Sequence, residues 1–432
     1  MIMTQRIQKI NPFRNFARVD KAGGGWYNQK SKGGGSVKKK MLIVGITMSV
    51  GGSEKSFLSF AEHIDYNEWD VTLLLAEKKG ALLALVPPQI KIETMPDGEI
   101  MEIDGANAKK VLLKKYALKN PLRVFPLLCH SAKIVFSSGK RRAYVKHRFW
   151  LSAMKTMKPC EGEYDLAIAY WGDRTMFYAV DKVKAKRRIA WLHFDYNFPP
   201  REDALYEKYF MRCEKIVTVS KEIEKSLGES LPSVSGRIVT MENIVDAEQI
   251  KRLAGFGCGY DDGYDGIRIL TVGRICEQKG YDIALPALAR LKREGFEFRW
   301  YALGEKSGLY AEEISRTAKA LGLENDFVML GTTDNPYKYI KECDVYFQPS
   351  RHEGKSIAVE EAKLLCRPMV VSNYKTADEQ LCGGALGLIC EISEEGMYSA
   401  MKKLLSDTEL RRDFSEKLSK IGTERDADRE TW

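Results

Sequence analysis

Two doubly wound, Rossmann-like α/β domains facing a cleft are what this chain of 432 residues predicts, and three observations predict them. Short apolar runs alternate with helical patterns in both halves, which builds parallel sheets covered by helices. Early in the first half, Met41 to Thr47 (MLIVGIT) runs into Gly51-Gly52 and then a helical stretch. In the second half, Asp344 to Asn373 (DVYFQPSRHEGKSIAVEEAKLLCRPMVVSN) reads as strand, loop, helix and strand, and the rest of the chain is organised around it.

The length suits two or three domains with ample core. A composition 44% apolar and 29% charged is that of a soluble globular protein. Apolar runs such as Met41 to Val50 are too short to span a bilayer, and no signal-peptide pattern stands out. Nine cysteines without Cys-x-x-Cys spacing argue against a zinc site or a disulfide framework, so a reduced, cytoplasmic protein is expected.

The net charge of +9 is unevenly placed. Residues 1–40 hold ten Lys and Arg against Asp20 alone and supply the whole excess. With AGGGW, KGGGS and a final KKK, this segment reads as a flexible basic lead-in. Residues 41–432 hold 58 basic and 58 acidic groups. Within them, residues 101–160 carry fourteen Lys and Arg, among them Lys109, Lys110, Lys114, Lys115, Lys140, Arg141 and Arg142, against Glu102 and Asp104. Lys109 to Leu118 (KKVLLKKYAL) repeats basic pairs and apolar triplets, an amphipathic helix pattern. Any single Lys there is a solvated face residue. The region as a whole, Lys109 to Lys158, is expected to meet anionic membrane or a lipid-phosphate acceptor. No nucleic-acid-binding motif accompanies it, and no nucleic acid is expected as a partner.

In the first half, Ser53 stands where it would cap the helix SEKSFLSFAEHI. Strand, Gly-Gly turn and helix N-terminus make an anion-binding geometry, although most Gly-Gly turns are tight turns only. Trp69 to Ala76 is the next strand, and Pro87-Pro88 closes that unit. Strands follow at Asp165 to Tyr170, Arg188 to Leu192 and Lys215 to Val219. The second runs into WLHFDY and sets His193 at a strand's carboxyl end, where open α/β sheets bind ligands. Taken alone, such a His is more often a hydrogen-bonded structural residue. Beyond ENIVD, Ala247 to Gly266 is polar and Gly-rich, an inter-domain linker.

The second half opens with the strand Ile267 to Val272, followed by GRICEQKG. Arg274 and Lys279 are close enough to converge on one diphosphate, Arg as a fork and Lys as a point charge. As an isolated pair they would be two exposed cations. Phe298 to Leu303 ends at Gly304, and Phe327 to Leu330 ends at Gly331-Thr332, before the turn Asp334-Asn335-Pro336. In the organising stretch, Asp344 to Phe347 is a strand that Pro349 stops. Arg351 to Lys355 is a polar loop with Gly354 as its freely turning residue. A helix opens at Ser356 with Ile357, Val359, Leu364 and Leu365 as its apolar positions. Pro368 to Val371 is a buried parallel strand. Glu353 precedes the helix and Glu361 lies about two turns further on. Beside free helix-terminal amides, this pair could hold a sugar and vicinal hydroxyls next to a phosphate; as a lone pair, Glu353 would cap the helix and Glu361 would be a solvated face residue. Ala385 to Cys390 is one more strand, and Glu394 to Leu405 and Thr408 to Lys420 are helices.

SRHEGKSIAVEEAKLLCRPMVVSN resembles the Glu-x7-Glu signature of family-four retaining glycosyltransferases, the group 1 type, whose fold is GT-B. That likeness places Glu353 at the donor sugar, Glu361 at the ribose, and Gly354, Lys355, Ser356 and Ile357 at the donor. Lys355 and Ser356 replace the last two residues of the family's usual Gly-aromatic-Gly loop. GRICEQKG is similar to the family's diphosphate clamp, which implies that Gly273, Arg274 and Lys279 hold the donor and that the two cations stabilise the leaving diphosphate. GGSEKS resembles the glycine-rich loop that sets Gly51 and Gly52 against donor diphosphate and acceptor. Gly331 and Thr332 fall where the family holds the base through backbone groups. His193 matches the His that orients the donor sugar from the facing domain. Asn243 and Asp246 match the segment that leaves the first domain.

The resemblance covers about Met41 to Lys420, is strongest in the second half and weak over residues 77–160. It implies an acceptor-side domain over 41–246, a linker over 247–266, a nucleotide-sugar domain over 267–405 and a helical segment over 406–432 that returns to the first domain. The implied function is retaining hexosyl transfer from a nucleotide diphosphate sugar to a glycan or lipid-linked acceptor, in cell-surface polysaccharide or glycolipid synthesis. UDP is the family's commoner nucleotide. Neither cofactor nor metal is implied, since protein cations replace the metal. Two other classes share such a cleft. A GT-B isomerase acting on a nucleotide sugar is disfavoured by the Glu-x7-Glu spacing. A silent nucleotide-sugar-binding protein is disfavoured by Arg274, Lys279, Glu353 and Glu361, and kept open by Lys355 and Ser356.

Overall fold

Runs of three to nine residues, most of them apolar, form thirteen parallel strands in two sheets, seen in a computed structural model that describes residues 37–102, 121–306 and 308–429. The described chain falls into two units. One ends at Thr218 and takes in Glu224–Ile244; the other takes in Val219–Ile223 and the chain from Val245 onward. The pattern KKVLLKKYAL lies outside the described residues, as does most of the basic lead-in.

The first unit runs β1 (Lys39–Gly45), α1 (Gly52–Glu62), β2 (Trp69–Leu75), β3 (Lys91–Thr94), α2 (Pro121–Val135), α3 (Gly139–Thr156), β4 (Glu163–Ala169), α4 (Asp173–Asp181), β5 (Lys184–Leu192), α5 (Asp203–Phe210), β6 (Lys215–Thr218), α6 (Lys221–Ser230) and β7 (Ile238–Thr240). Its sheet order is β3-β2-β1-β4-β5-β6-β7, so the winding reverses between β1 and β4. Leu42, Val44, Ala167, Ala169, Ala190 and Leu192 are buried in the core beneath α2, α3 and α4. This is the near-continuous apolar character of strands covered on both faces.

The second unit runs α7 (Ala247–Ala254), β8 (Ile267–Val272), α8 (Tyr281–Arg293), β9 (Phe298–Leu303), α9 (Gly308–Ala320), β10 (Phe327–Gly331), α10 (Tyr337–Glu342), β11 (Val345–Gln348), α11 (Ile357–Leu364), β12 (Met369–Ser372), α12 (Ala377–Leu381), β13 (Leu388–Cys390), α13 (Glu394–Ser406) and α14 (Thr408–Arg429). The order β10-β9-β8-β11-β12-β13 reverses between β8 and β11. One core gathers Ile269, Trp300, Phe347 and Val370 under α8 and α13; another gathers Leu270, Tyr346 and Val371 with Val359 of α11 and Leu418 of α14.

Several local expectations change. Ser53 does not cap α1, because the helix starts one residue earlier on an extended Gly51 and no side chain caps it. The linker opens with a helix: the Asp246 carboxylate accepts from the Gln249 amide, and Ile250 and Ala254 are buried. Gly354 is buried and is not among the residues with positive φ, so it does not serve as the freely turning residue of the loop. Among the described residues, all nine cysteines are unpaired, and no helix is long and apolar enough to cross a membrane.

Candidate functional site

In a doubly wound sheet, the connections on either side of the reversal leave in opposite directions and open a crevice at the strands' carboxyl ends. In the second unit that point lies between β8 and β11, and the two loops that leave it are residues 273–280 and 349–356. The loops are fastened to each other. The Arg351 amide donates to the Gln278 carbonyl at 2.8 Å, and Gln278 Nε2 donates to the His352 carbonyl at 2.9 Å. The Arg351 guanidinium donates to the Glu277 carbonyl at 2.7 Å and forks onto Asp282 at 2.8 and 2.6 Å. Gly280 has φ +69°, and a Cβ there would stand 2.1 Å from the Pro349 carbonyl oxygen. Only glycine allows this left-handed turn and close backbone approach together.

This fastening brings Lys279 to Glu353. Lys279 Nζ lies 2.8 Å from Glu353 Oε1, and that oxygen also accepts from Ser350 Oγ at 2.7 Å and Gln348 Nε2 at 3.0 Å. The two charged side chains are 13% and 10% exposed, so the pair is held largely away from water. Burial alone would raise the carboxyl's pKa; the Lys279 cation and the hydrogen bonds from Lys279 and Ser350 outweigh it and hold the pKa below its ordinary value. Gly273 makes room for the lysine: a Cβ there would sit 2.6 Å from Lys279 Cε. Arg274, next in the chain, is exposed.

Neighbouring strand ends extend this floor. The Gly304 amide donates to the Gly331 carbonyl at 2.8 Å, and a Cβ on Gly304 would meet the Gly273 carbonyl oxygen at 2.1 Å. Gly304 thus lets the backbones after β8 and β9 approach closely, beside Gly331 at the end of β10, with Thr332 exposed next to it.

Ser356, at the start of α11, is held from behind. Its amide donates to Gln380 Oε1 at 3.2 Å, and Gln380 Nε2 returns to the Ser356 carbonyl at 3.0 Å and to Glu360 Oε1 at 3.0 Å. Lys355 has its ammonium 3.4 Å from Glu379 Oε1. Glu361 is 1% exposed rather than solvated, and Tyr337 donates its hydroxyl to Glu361 Oε1 at 3.2 Å. Burial, and then the Glu361 charge, push the Tyr337 phenol well above its ordinary pKa. Ile357 is the first residue of the helix.

In the first unit, Gly51 and Gly52 open α1 at the end of the loop that follows β1. His193 follows β5 and packs against Tyr170, with ring centroids 4.8 Å apart, and parallel to Trp191 at 6.1 Å. The residue is partly exposed, yet its Nε2 is closed off from solvent without a hydrogen bond. Burial drives its pKa down to about 3 against a hydrogen bond to the Tyr170 backbone, so the ring is neutral near pH 7. Tyr170 shares a hydrogen bond with Ser56, which donates to Asn243 Oδ1; both contacts are 2.8 Å. The loop after His193 is anchored by the buried Arg201, which donates to the carbonyls of Tyr196 and Pro199 and forks onto Asp173 at 3.1 and 2.9 Å.

The structure thus joins Gly273, Lys279 and Glu353, sets Arg274 beside them, and carries Glu361 on the adjoining helix. Sequence reasoning missed Gln348, Ser350, Gln278, Arg351, Asp282 and Gln380. Gln348 and Ser350 had one signal: they are polar residues flanking the proline that ends an otherwise apolar strand.

The family model described as glycosyl transferases group 1 matches residues 264–420. Over 177 residues the chain is 30% identical to an N-acetylgalactosamine-N,N'-diacetylbacillosaminyl-diphospho-undecaprenol 4-alpha-N-acetylgalactosaminyltransferase of Campylobacter jejuni, covering 40% of this chain and 46% of that protein. Over 263 residues it is 27% identical to an uncharacterized glycosyltransferase of Haemophilus influenzae, covering 60% and 71%. The match to the first of these relatives therefore spans less than half of its length. Among solved structures, Anabaena Alr3699/HepE in complex with UDP and glucose superposes with a TM-score of 0.62 at 14% identity, over 90% of this chain and 95% of that one. A glycosyltransferase from Rickettsia africae superposes with a TM-score of 0.58 at 15% identity, over 88% and 92%. At such identities the likeness concerns the fold, which is GT-B.

Proposed function

We propose that this chain, whose residues 264–420 match the family model of group 1 glycosyl transferases, moves a sugar from a nucleotide diphosphate donor to a glycan or lipid-linked acceptor with retained anomeric configuration. The observation that carries this reading is the Lys279–Glu353 pair at the reversal point of the second sheet, with Arg274 exposed beside it. When the bond between the anomeric carbon and the diphosphate oxygen breaks, negative charge collects on the departing diphosphate. Lys279, largely shielded from water, and the exposed Arg274 beside it take up that charge, and preformed cations are effective at this. Glu353 is fixed by three donors and is held as a carboxylate facing the donor sugar. Glu361 receives the ribose hydroxyls, Gly331 and Thr332 the base, and His193 and the Gly51-Gly52 loop serve the sugar and diphosphate.

UDP is the proposed nucleotide, supported by the UDP-bound relative of like fold. A lipid-linked acceptor is supported by the undecaprenol-linked substrate in the name of the Campylobacter relative. Incubation with a panel of labelled nucleotide sugars and a bacterial lipid extract tests the proposal. Label from one donor should enter the organic phase, with an anomeric proton coupling that matches the donor's configuration. An inverted product would remove the retaining mechanism. A donor that binds and is released intact in every case would favour the silent binder.

A further inference from the structure

The first sheet has its own reversal, between β1 and β4, and the loops that leave it are residues 46–51 and 170–172. Trp171 sits in the second of these and lies across the end of β1: a Cβ on Gly45 would stand 2.9 Å from its ring. Phe57 of α1 braces the indole with ring centroids 5.4 Å apart, and Tyr170 does so at 5.2 Å. Both bracing rings are fully buried, whereas Trp171 is only half-buried. A large aromatic ring is thus held in place at the crevice where an open α/β sheet receives its ligand.

The surroundings of this ring are polar without being charged. Neither loop contains an Asp, Glu, Lys or Arg. The first formal charges beyond them are Glu54 and Lys55, of opposite sign on α1, and Asp173 on α4, which Arg201 already holds. Ser49, Val50 and Gly52 are exposed, and no side chain caps the first amides of α1. An aromatic face is negative at its centre and attracts weakly positive C–H groups; uncapped amides and a serine hydroxyl meet hydroxyl oxygens. A pyranose offers both, a C–H face and a rim of hydroxyls.

We propose that Trp171 is the acceptor platform: the terminal pyranose of a neutral glycan lays its C–H face on the indole and turns its hydroxyls toward Ser49 and the first amides of α1. The acceptor is then a sugar-bearing molecule and not a bare lipid phosphate, for which neither loop supplies a cation. The use made of the bound sugar rests on the transfer reading; the binding itself does not.

Methyl glycosides of glucose, galactose, N-acetylglucosamine and N-acetylgalactosamine serve as probes, with dodecyl phosphate as the lipid-phosphate comparison. Saturation-transfer NMR on the full chain reads which of their protons touch the protein. The C–H protons of one ring face should be saturated in at least one glycoside. Its Kd should weaken at least tenfold in W171A and severalfold in W171F, which keeps a smaller ring. Both variants should retain the parent's circular dichroism and its UDP affinity by titration calorimetry. A parent that fails to bind UDP would count against the transfer reading and leave the glycoside result standing. With lipid extract as acceptor, W171F should raise the acceptor KM and leave the donor KM unchanged. No saturation in any of the four glycosides, a Kd equal in the parent and both variants, or saturation of dodecyl phosphate in their place would overturn the proposal.

Discussion

Lys279 and Glu353 are 74 residues apart in sequence and form a largely buried ion pair, 2.8 Å from nitrogen to oxygen, where the second sheet reverses its winding. The pair is more than a bridge between loops. Its carboxylate is also held by Ser350 and Gln348, so removing one partner leaves an oriented charge without compensation. Replacing Lys279 by Met should therefore destabilise the second unit by about 3 kcal/mol, the usual scale for breaking one side of a buried pair. Changing Glu353 to Gln in the same chain should recover part of that loss. Denaturant unfolding of the parent, both single variants and the double variant measures the coupling, and additive losses would show that the pair does not act as a unit.

Gly280 carries a second prediction. Alanine there must adopt φ +69° and place its Cβ 2.1 Å from a backbone oxygen. A loss of at least 2 kcal/mol is expected, from left-handed strain and displacement of the 349–356 loop. Titration calorimetry should show nucleoside diphosphate binding weakened with it, since the same displacement moves Glu353 away from Lys279.

Arg351 should separate position from stability. Its forked contact with Asp282 is partly exposed, with the arginine at 26% and the aspartate at 42%, so R351M should cost no more than about 1 kcal/mol. Because its backbone and side chain both tie the two loops, the variant should raise KM for the donor severalfold with the melting temperature nearly unchanged. An unaltered KM would show that the other loop contacts suffice.

Acid should weaken the first unit before the second. Burial lowers His147 to about 4 and His193 to about 3, whereas an unfolded histidine titrates near 6.5. Folded pKa values below the unfolded one mean that the unfolded chain binds more protons at acid pH. The stabilisation is therefore complete above pH 6.5 and is lost as pH falls toward 4 and 3. Two such groups should remove a few kcal/mol between pH 7 and pH 4, seen as a falling denaturant midpoint. In H147Q the slope should be shallower.

The fold was legible because buried parallel strands announce themselves. Ile267–Val272 and Phe298–Leu303 coincide with the expected strands, residue for residue. Lys91–Thr94 was not legible: it is a four-residue edge strand with alternating charged and uncharged side chains and little burial, and it reads as loop. The helix Ala247–Ala254 was hidden by the glycine-rich run that follows it, although Asp246 with Ile250 and Ala254 was a usable signal. Of the candidate site, residue types at fixed spacing were visible, namely Lys279 after Gly273 and Glu353 before the helix. The partners Gln348, Ser350, Asp282 and Gln380 were not, because tertiary pairing between separate loops and helices leaves no local periodicity; Arg351, beside His352 in the loop, looked like ordinary solvated charge.

Release of free nucleotide by the parent and by R274A, compared on one nucleotide sugar with lipid extract present, bears hardest on the transfer reading. Arg274 is exposed, so its loss should leave folding within about 0.5 kcal/mol of the parent. Turnover in R274A should fall by about a hundredfold or more, on the scale of removing one preorganised transition-state contact. Equal turnover in parent and variant would contradict the assignment of the 273–280 loop as the clamp on the leaving diphosphate.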